Sequence, residues 1–382
     1  MANNEISEAC KDALKRLARS TNVLISGAPG TGKSRLLAEV ALAFETGHGI
    51  AASGGPPIHN PIGGIPIPPA MGNLATDFPG PTKTSRKVFR MVLHQNSKYR
   101  DFVSGITPAV NKQAGEPDFS IVEGTLYRAS QHASKENGAA LLIIDEINRG
   151  PAVQVFGGAI VAIESDKRLA PNGSKRGETQ FFELLEPGTG EVVEYALPHD
   201  LYILAAMNQA DASVEPLDVA FLRRWEPLRL LPDESVLRKF YGLGPKTGAS
   251  LPDTPSAVSH VFEASVRAWA AINDQISLGR GFEFQIGHGV LFSDVQPNSM
   301  ELPDALDFLC IGWDKIRSHV EEVFFGDTRG IAATLNALDG PACNPFTLQE
   351  KTFANDLRFK LEGPSNFSAS TVFLALKAFS RE

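Results

Sequence analysis

The sequence has few cysteines, no long hydrophobic run and no excess of basic charge, and each of these absences excludes a class of protein. The three cysteines, Cys10, Cys310 and Cys343, have no metal-ligand spacing and fit buried or free thiols in a reducing cytoplasm. No apolar run approaches the roughly 20 residues of a membrane span, and the first residues lack a basic and apolar leader. We therefore expect neither membrane insertion nor export. The net charge of −8 argues against a protein that coats nucleic acid by bulk electrostatics.

A complete phosphate-binding loop occupies residues 27–34. The spacing G-x-x-x-x-G-K-S is filled by Gly27, Ala28, Pro29, Gly30, Thr31, Gly32, Lys33 and Ser34. A loop of this kind directs backbone N–H groups and a helix N-terminus at phosphate oxygens. We expect Lys33 to reach the β- and γ-phosphates of a nucleotide and Ser34 to ligate Mg²⁺. The sequence therefore predicts nucleotide binding.

The segments around this loop have the character that the motif requires. Residues 22–26 form a short apolar run typical of a buried strand, and residues 35–44 combine helical spacing with strong helix formers. A second buried run, residues 139–144, ends at Asp145 and Glu146. Carboxylates at the carboxyl end of a central strand face the ligand crevice of an open α/β sheet. We expect Asp145 to hold Mg²⁺, and Glu146 to orient and activate the attacking water.

Two further segments complete a hydrolytic arrangement. The apolar run at 201–206 leads to Asn208, whose side chain can contact both a γ-phosphate and a water at this end of a strand. Residues 217–225 are predicted to form a short helix that presents Arg223 and Arg224. An arginine from a neighbouring subunit stabilises the charge on γ-phosphate oxygens during phosphoryl transfer. The alternative is a solvated arginine pair at a helix C-terminus, where cations are favoured.

Apolar strands that alternate with helices indicate an α/β domain with a parallel sheet covered on both faces. Its predicted elements are strands at 22–26, 87–94, 139–144, 201–206 and 226–231, a helix at 152–165 and hairpins within 166–200. This domain spans 22–231, follows an N-terminal helix within 1–21, and contains a Gly/Pro-rich insertion loop at 47–81. Residues 232–382 are predicted to form a smaller, mostly helical domain, with helices at 257–272 and 305–325.

The order of phosphate loop, Asp-Glu, Asn and Arg resembles an AAA+ ring NTPase, and more narrowly the McrB type found in methylation-dependent restriction systems. The narrower resemblance is carried by residues 93–108, by parts of 144–168, and by 207–211, which is similar to a Met-Asn-Thr-Ala-Asp-Arg signature. An Ile-Gly-His sequence at 286–288 is similar to a motif of the second domain. Ala212 replaces the arginine of the signature, so ATP is slightly favoured and GTP stays open.

This resemblance implies an Mg²⁺-dependent NTP hydrolase that assembles as a homo-hexamer with nucleotide at each subunit interface. It implies that Asn208 senses the water and the γ-phosphate, and that Arg224, which we favour, or Arg223 acts in trans. Other nucleotide-site residues that the resemblance implies are Arg149, reaching across the interface, Asp211 and His288.

The implied partner is a McrC-like nuclease subunit in a prokaryotic anti-phage system, with DNA contacted through that partner or through the central pore. Lys167-Arg168 and Lys175-Arg176 lie in the hairpin region, where they face the pore or are ordinary solvated turn charges. Two other functions use the same hydrolytic residues. One is a MoxR-like AAA+ chaperone that remodels a protein partner, and the other is a nucleotide-gated assembly platform in which turnover is incidental.

Overall fold

The computed structural model describes residues 6–47, 77–109, 119–210, 217–246, 248–293, 295, 297–338 and 340–381. Most of the predicted loop at 47–81, together with Asp211 and Ala212, lies outside these residues. The chain divides into two compact units. Unit 1 contains the residues up to Ser26 and Lys33–Arg229, and unit 2 contains Gly27–Gly32 and the residues from Leu230 onward.

Unit 1 contains helices and strands that alternate along the chain. The helices are α1 (Glu8–Ser20), α2 (Lys33–Thr46), α3 (Tyr99–Phe102), α4 (Thr125–Ala133), α5 (Ala152–Phe156), α6 (Ala159–Ala162) and α7 (Val219–Leu222). The strands are β1 (Asn22–Gly27), β2 (Ser85–Val92), β3 (Ser104–Pro108), β4 (Phe119–Glu123), β5 (Gly138–Asp145), β6 (Phe182–Leu185), β7 (Val192–Tyr195), β8 (Leu201–Asn208) and β9 (Glu226–Leu230). Gly27 and Leu230, the last residues of β1 and β9, group with unit 2.

Five strands form the central sheet in the order β2-β5-β8-β1-β9. Strands β2 and β8 both pair with β5 in parallel, with Leu142 of β5 opposite Ile203 of β8. Both β5 and β8 are buried along most of their length, which is why their sequences are nearly continuous apolar runs. The predicted α/β fold with a parallel sheet flanked by helices is confirmed. Because β5 and β8 run parallel, their last residues, Asp145 and Asn208, lie at the same edge of the sheet.

The single helix predicted over 152–165 is wrong, because the chain breaks into α5, α6 and a 3₁₀ turn at Ser165–Lys167. Gly157 follows α5 with a φ of +51°, a conformation that glycine adopts without the strain of a side chain. A Cβ at this position would also lie 2.8 Å from the ring of Tyr99. Four elements between residues 99 and 133, namely α3, β3, β4 and α4, were not predicted from the sequence.

The expectation that Arg168 faces a pore or solvent is wrong, because its side chain is buried. The guanidinium donates to the Ile163 carbonyl at 2.9 Å, to Asn22 Oδ1 at 2.6 Å and to the Leu201 carbonyl. Burial lowers the pKa of Arg168 to about 9, so the group stays charged at neutral pH. A buried charge is tolerated when its donors are satisfied, and here they join three segments of the fold. The other basic residues of this region lie nearer the surface: Lys167 is half-buried, and Lys175 and Arg176 are exposed.

Unit 2 is mostly helical, as predicted. Its helices are α8 (Glu234–Phe240), α9 (Val258–Gly279), α10 (Leu302–Val323), α11 (Thr328–Thr334) and α12 (Val372–Phe379). An antiparallel hairpin, β10 (Thr347–Phe353) with β11 (Asp356–Glu362), was not predicted. Trp269 of α9 and Trp313 of α10 are buried in its core with Phe379 of α12. None of the helices in the described ranges combines the length and apolar character that crossing a membrane requires.

Candidate nucleotide-binding site

The phosphate loop connects β1 to α2, which begins at Lys33. Gly30 and Gly32 have φ values of +79° and +90°, which glycine adopts without the clash that a Cβ would make. The Thr31 hydroxyl donates to the Ala28 carbonyl at 2.8 Å and closes the turn. The loop therefore ends at the N-terminus of α2, where the helix dipole and the backbone N–H groups favour an anion.

Within unit 2, two glycines of the 286–289 segment pack directly on the phosphate loop. The Gly287 N–H donates to the Pro29 carbonyl at 3.0 Å, and the Gly289 N–H donates to the Gly30 carbonyl at 2.9 Å. A Cβ added at Gly287 would overlap the backbone of Gly30 and Thr31. The close approach therefore requires glycine at position 287. The two N–H groups provide hydrogen-bond donors for two carbonyls of the loop.

His288 lies between these two glycines and is buried. The Asp233 N–H donates to its Nδ1 at 3.3 Å, and its ring centroid lies 5.7 Å from that of Phe292. These contacts fix the imidazole inside unit 2, in the segment that packs on the loop. Its role as a nucleotide sensor stays a prediction.

Lys33 is only 9% exposed and lies near the carboxylates of Asp145, the last residue of β5, and Glu146, the residue after it. Burial lowers the pKa of its ammonium below the ordinary value, while the charges of Glu146 and Asp145 act in the opposite direction. A partly desolvated cation at this place is suited to receive phosphate oxygens, because opposite charges attract more strongly where water is excluded.

The carboxylate of Glu146 is contacted from two sides. Asn208 Nδ2 donates to Glu146 Oε1 at 2.7 Å, across the ends of the neighbouring strands β5 and β8. Arg149 Nε lies 3.1 Å from Glu146 Oε2. The structure thus brings three of the predicted site residues into contact. Arg149 makes this contact within its own subunit, and its reach across an interface stays a prediction.

The backbone of Glu146 is strained, with a φ of +53°. A non-glycine residue in the left-handed region costs of order 1–3 kcal/mol and is common at functional sites. The Glu146 N–H donates to Asp145 Oδ1 at 3.0 Å, and the next residue, Ile147, donates its N–H to the Ala206 carbonyl at 2.9 Å. These bonds hold the chain in the turn that directs the Glu146 side chain toward Asn208.

Sequence reasoning missed Asn148, which is buried behind this turn. Its Nδ2 donates to the backbone carbonyl of Asn208 at 2.8 Å, so it connects the loop after β5 to the end of β8. Two residues on, Gly150 packs on His94, because a Cβ at Gly150 would lie 2.6 Å from the His94 carbonyl oxygen. The signal was present: 93–108 and 144–150 are both segments of the McrB-like resemblance, and the structure brings them together.

The residues at this site fit a nucleotide with Mg²⁺. In phosphate-loop sites Mg²⁺ takes one or two side-chain oxygens and completes its shell with phosphates and water. The Ser34 hydroxyl, exposed in the first turn of α2, and the Asp145 carboxylate are oxygen donors of that kind. The Glu146 carboxylate, held by Asn208 and Arg149, lies beside these oxygen donors at the end of β5. The described part of the chain contains no group of three or more His, Cys, Asp or Glu that could hold a metal ion.

The two arginines after α7 have different surroundings. The side chain of Arg224 is only 7% exposed, and its Nε lies 2.9 Å from Glu164 Oε1. Its guanidinium also donates to the Ala220 carbonyl. Arg223 is exposed, and its side chain has no hydrogen bond or ion pair with the described residues. Neither arginine makes such a contact with Glu146 within the described part of the chain.

Comparison with known proteins gives one family and two curated relatives. The family described as "AAA domain (dynein-related subfamily)" matches residues 81–225. The "Type IV methyl-directed restriction enzyme EcoKMcrB subunit" of Escherichia coli K12 is 26% identical over 317 residues, which are 82% of this chain and 56% of that protein. The "Type II restriction enzyme BsuMI component YdiS" of Bacillus subtilis 168 is 28% identical over 228 residues, 53% of this chain and 55% of that protein. The chain thus spans little more than half the length of these relatives.

Solved structures give weaker likenesses. A putative ATPase from Cytophaga hutchinsonii has a TM-score of 0.32 at 12% identity, with 85% of this chain and 78% of that chain covered. PCH-2 of C. elegans has a TM-score of 0.32 at 12% identity, with 82% and 71% covered. Scores this low carry no functional meaning.

The AAA family match over residues 81–225, the parallel sheet and the phosphate loop define the class of fold as that of an AAA+ P-loop domain. Membership of this class implies NTP hydrolysis. The chain is similar to two restriction components, one of them a McrB subunit, at modest sequence identity. The predicted McrB-type AAA+ resemblance is therefore confirmed.

Proposed function

We propose that this chain is the NTP-hydrolysing motor subunit of a McrBC-like prokaryotic restriction complex, acting in the cytoplasm as a six-membered ring with a separate nuclease subunit. The proposal that the chain hydrolyses NTP rests on the contact of Glu146 with Asn208 at 2.7 Å, near the buried Lys33 ammonium. The proposed role in a restriction complex is supported by the two curated relatives, which are both restriction components.

The residues of the site divide the work of hydrolysis. Lys33 and the loop N–H groups bind the phosphates, and Mg²⁺ held by Ser34 and Asp145 neutralises phosphate charge when bound. Glu146 accepts a proton from the water that attacks the γ-phosphorus, and the bond to the β-phosphate oxygen breaks to release the nucleoside diphosphate. Asn208 orients the Glu146 carboxylate for this transfer. ATP is slightly favoured over GTP because Ala212 replaces the arginine of the family signature.

Phosphate release tests the proposal directly. The purified protein is assayed with ATP and with GTP, with Mg²⁺ and with EDTA, over a series of protein concentrations. We expect Mg²⁺-dependent turnover whose specific activity rises with concentration, because each active site is shared between subunits. Lys33→Ala should lose nucleotide binding, and Glu146→Gln should bind but not hydrolyse. Hydrolysis retained in Glu146→Gln would contradict the assignment of the base.

The proposed role in restriction is tested in cells. Glu146→Gln, which binds nucleotide without turning it over, should lose protection against phage, because the proposed motor needs hydrolysis. Protection retained by that variant would instead favour a nucleotide-gated platform. Copurification with a protein that is not a nuclease, together with remodelling of that protein, would favour a MoxR-like chaperone.

A further inference from the structure

We propose that Asn148 is a positioning residue of the hydrolytic site, whose side-chain amide holds the carboxyl end of β8 so that Asn208 meets the Glu146 carboxylate. This inference rests on the proposed function, because it assigns a role in hydrolysis. Asn148 acts through Asn208 and not on the reacting atoms. All three residues lie within unit 1.

The pairing between strands β5 and β8 ends before it reaches Asn208. Its last pair joins Ile144 to Ala205, and Asn208 lies three residues further along β8. A hydrogen bond weakens steeply as its angle departs from linear, so the bond from Asn208 to Glu146 depends on the direction in which the amide points. The pairing with β5 does not set this direction, and contacts from the turn after β5 take its place.

Three hydrogen bonds join this turn to the end of β8. The Ile147 N–H donates to the Ala206 carbonyl at 2.9 Å. Asn148 Nδ2 donates to the Asn208 carbonyl at 2.8 Å, and Asn208 Nδ2 in turn donates to Glu146 Oε1 at 2.7 Å. Two residues of one turn therefore hold Asn208, Asn148 by its backbone and Glu146 by its side chain. A displacement of the Asn208 backbone would move its amide away from the carboxylate.

The other end of the Asn148 amide shows that stability alone does not explain this side chain. A carbonyl oxygen only accepts hydrogen bonds, so the NH₂ group of Asn148 must face Asn208 and its Oδ1 must face away. Asn148 is only 4% exposed, and its Oδ1 is buried and accepts no hydrogen bond from the described residues. A buried acceptor without a donor lowers stability, and a leucine of similar size would not have this cost. The donor end, which holds Asn208, accounts for an amide at this position.

A second buried asparagine, Asn344 of unit 2, uses both ends of its amide. Its Nδ2 donates to the carbonyls of Leu335 and Asn336 at 2.9 and 2.7 Å, and its Oδ1 accepts from the Phe346 N–H at 3.0 Å. These bonds tie together the segment that leads from α11 into β10. Asn344 is therefore the matched control for Asn148, because its contacts are fully those of a structural residue.

Leucine replacements at the two asparagines give the first test. Asn148→Leu should lower kcat for NTP hydrolysis about 10- to 100-fold with KM changed less than about twofold, because orientation is lost and ground-state binding is kept. Its melting temperature should stay within about 3 °C of the wild type. Asn344→Leu should show the opposite pattern, with a melting temperature at least about 5 °C lower and an unchanged kcat below it. Unchanged kcat in Asn148→Leu, or an equal loss of kcat in Asn344→Leu, would overturn the proposal.

A double-mutant cycle gives a second test that a merely structural role would not satisfy. If Asn148 works through Asn208, its replacement has no further effect once the Asn208 amide is gone. The double variant Asn148→Leu with Asn208→Ala should therefore be no slower in single-turnover phosphate release than Asn208→Ala alone. A further loss of about tenfold or more in the double variant would overturn the proposal. If Asn148→Leu does not fold, Asn148→Ala, which also lacks the amide, takes its place in both tests.

The Glu146→Gln variant separates failure of this inference from failure of the proposed function. Full kcat in Asn148→Leu, together with hydrolysis by the wild type and none by Glu146→Gln, would overturn the positioning role alone. Turnover retained by Glu146→Gln would overturn the proposed function itself.

Discussion

Asn208 Nδ2 donates to Glu146 Oε1 at 2.7 Å, which joins the ends of two neighbouring strands through the side chains that follow their apolar runs. A carboxylate that takes a proton from water must present an oxygen in a defined direction, and this amide supplies the direction. The surrounding hydrogen bonds maintain the strained φ of +53° at Glu146, which directs its carboxylate toward Asn208.

Replacing Asn208 tests this relationship. We expect Asn208→Ala to bind nucleotide with unchanged affinity and to hydrolyse it about 100-fold more slowly, because Glu146 loses its orienting partner. Single-turnover phosphate release at saturating nucleotide measures the chemical step. Asn172→Ala, at an exposed turn asparagine, is the control. Unchanged turnover in Asn208→Ala would show that the hydrogen bond does not contribute to catalysis.

A methyl group at Gly287 tests the packing on the phosphate loop. Because its Cβ would overlap the backbone of Gly30 and Thr31, Gly287→Ala must displace the loop and should weaken nucleotide binding tenfold or more. Gly244→Ala, also in unit 2 and with open space around its Cβ, should bind as the wild type does. Titration with a fluorescent nucleotide measures both affinities. Equal affinities in the two variants would mean that the close approach has no role in binding.

The buried Arg168 is expected to contribute to stability and not to nucleic-acid binding. Arg168→Met leaves the Ile163 and Leu201 carbonyls without this donor, and we expect it to lower the free energy of unfolding by about 3–5 kcal/mol. Arg176→Met, at an exposed position of the same region, should change stability by less than about 0.5 kcal/mol. Urea denaturation followed by circular dichroism gives both values. Similar stability in the two variants would contradict the network.

Acid sensitivity of unit 2 should depend on Glu263. Although burial raises the pKa of Glu263, hydrogen bonds from Arg238 and Arg267 lower it more, so it lies below the ordinary 4.5. A carboxyl with a depressed folded-state pKa stabilises the fold above its unfolded pKa, and this contribution is lost as the pH falls through the folded value.

Glu263→Gln should therefore cost about 1–3 kcal/mol near neutral pH, the range for hydrogen bonds to charged groups. The difference in melting temperature from the wild type should shrink as the pH falls from about 5 to about 3. Glu350→Gln, at an exposed position of β10, is the control and should follow the wild type at each pH. A difference that stays constant with pH would contradict the role of the charged pairs.

The sequence predicted the parts of the site that depend on local pattern. An apolar run ended by a polar residue indicates a buried strand and the residue at its carboxyl end. The positions of Asp145, Glu146 and Asn208 could therefore be predicted from the sequence. Arg168 could not be predicted in this way, because a basic residue between turns has the same local pattern whether it is buried or exposed. Its burial depends on Asn22 and Leu201, which lie far away along the chain.

The different surroundings of Arg223 and Arg224 could not be predicted for the same reason. Both follow one short helix, and the contact of Arg224 with Glu164 distinguishes them. Glu164 lies 60 residues earlier in the sequence, so no local pattern could reveal the pair.

The two backbone bonds from Gly287 and Gly289 to the phosphate loop have a consequence for how this chain can be cut or recombined. We expect an N-terminal fragment that ends at the predicted boundary, residue 231, to bind nucleotide poorly, because the Pro29 and Gly30 carbonyls lose the N–H donors of Gly287 and Gly289. Exchange of the second unit between relatives must bring a compatible glycine segment with it. The loop and the glycines that pack on it therefore form one structural element, although some 250 residues separate them in the sequence.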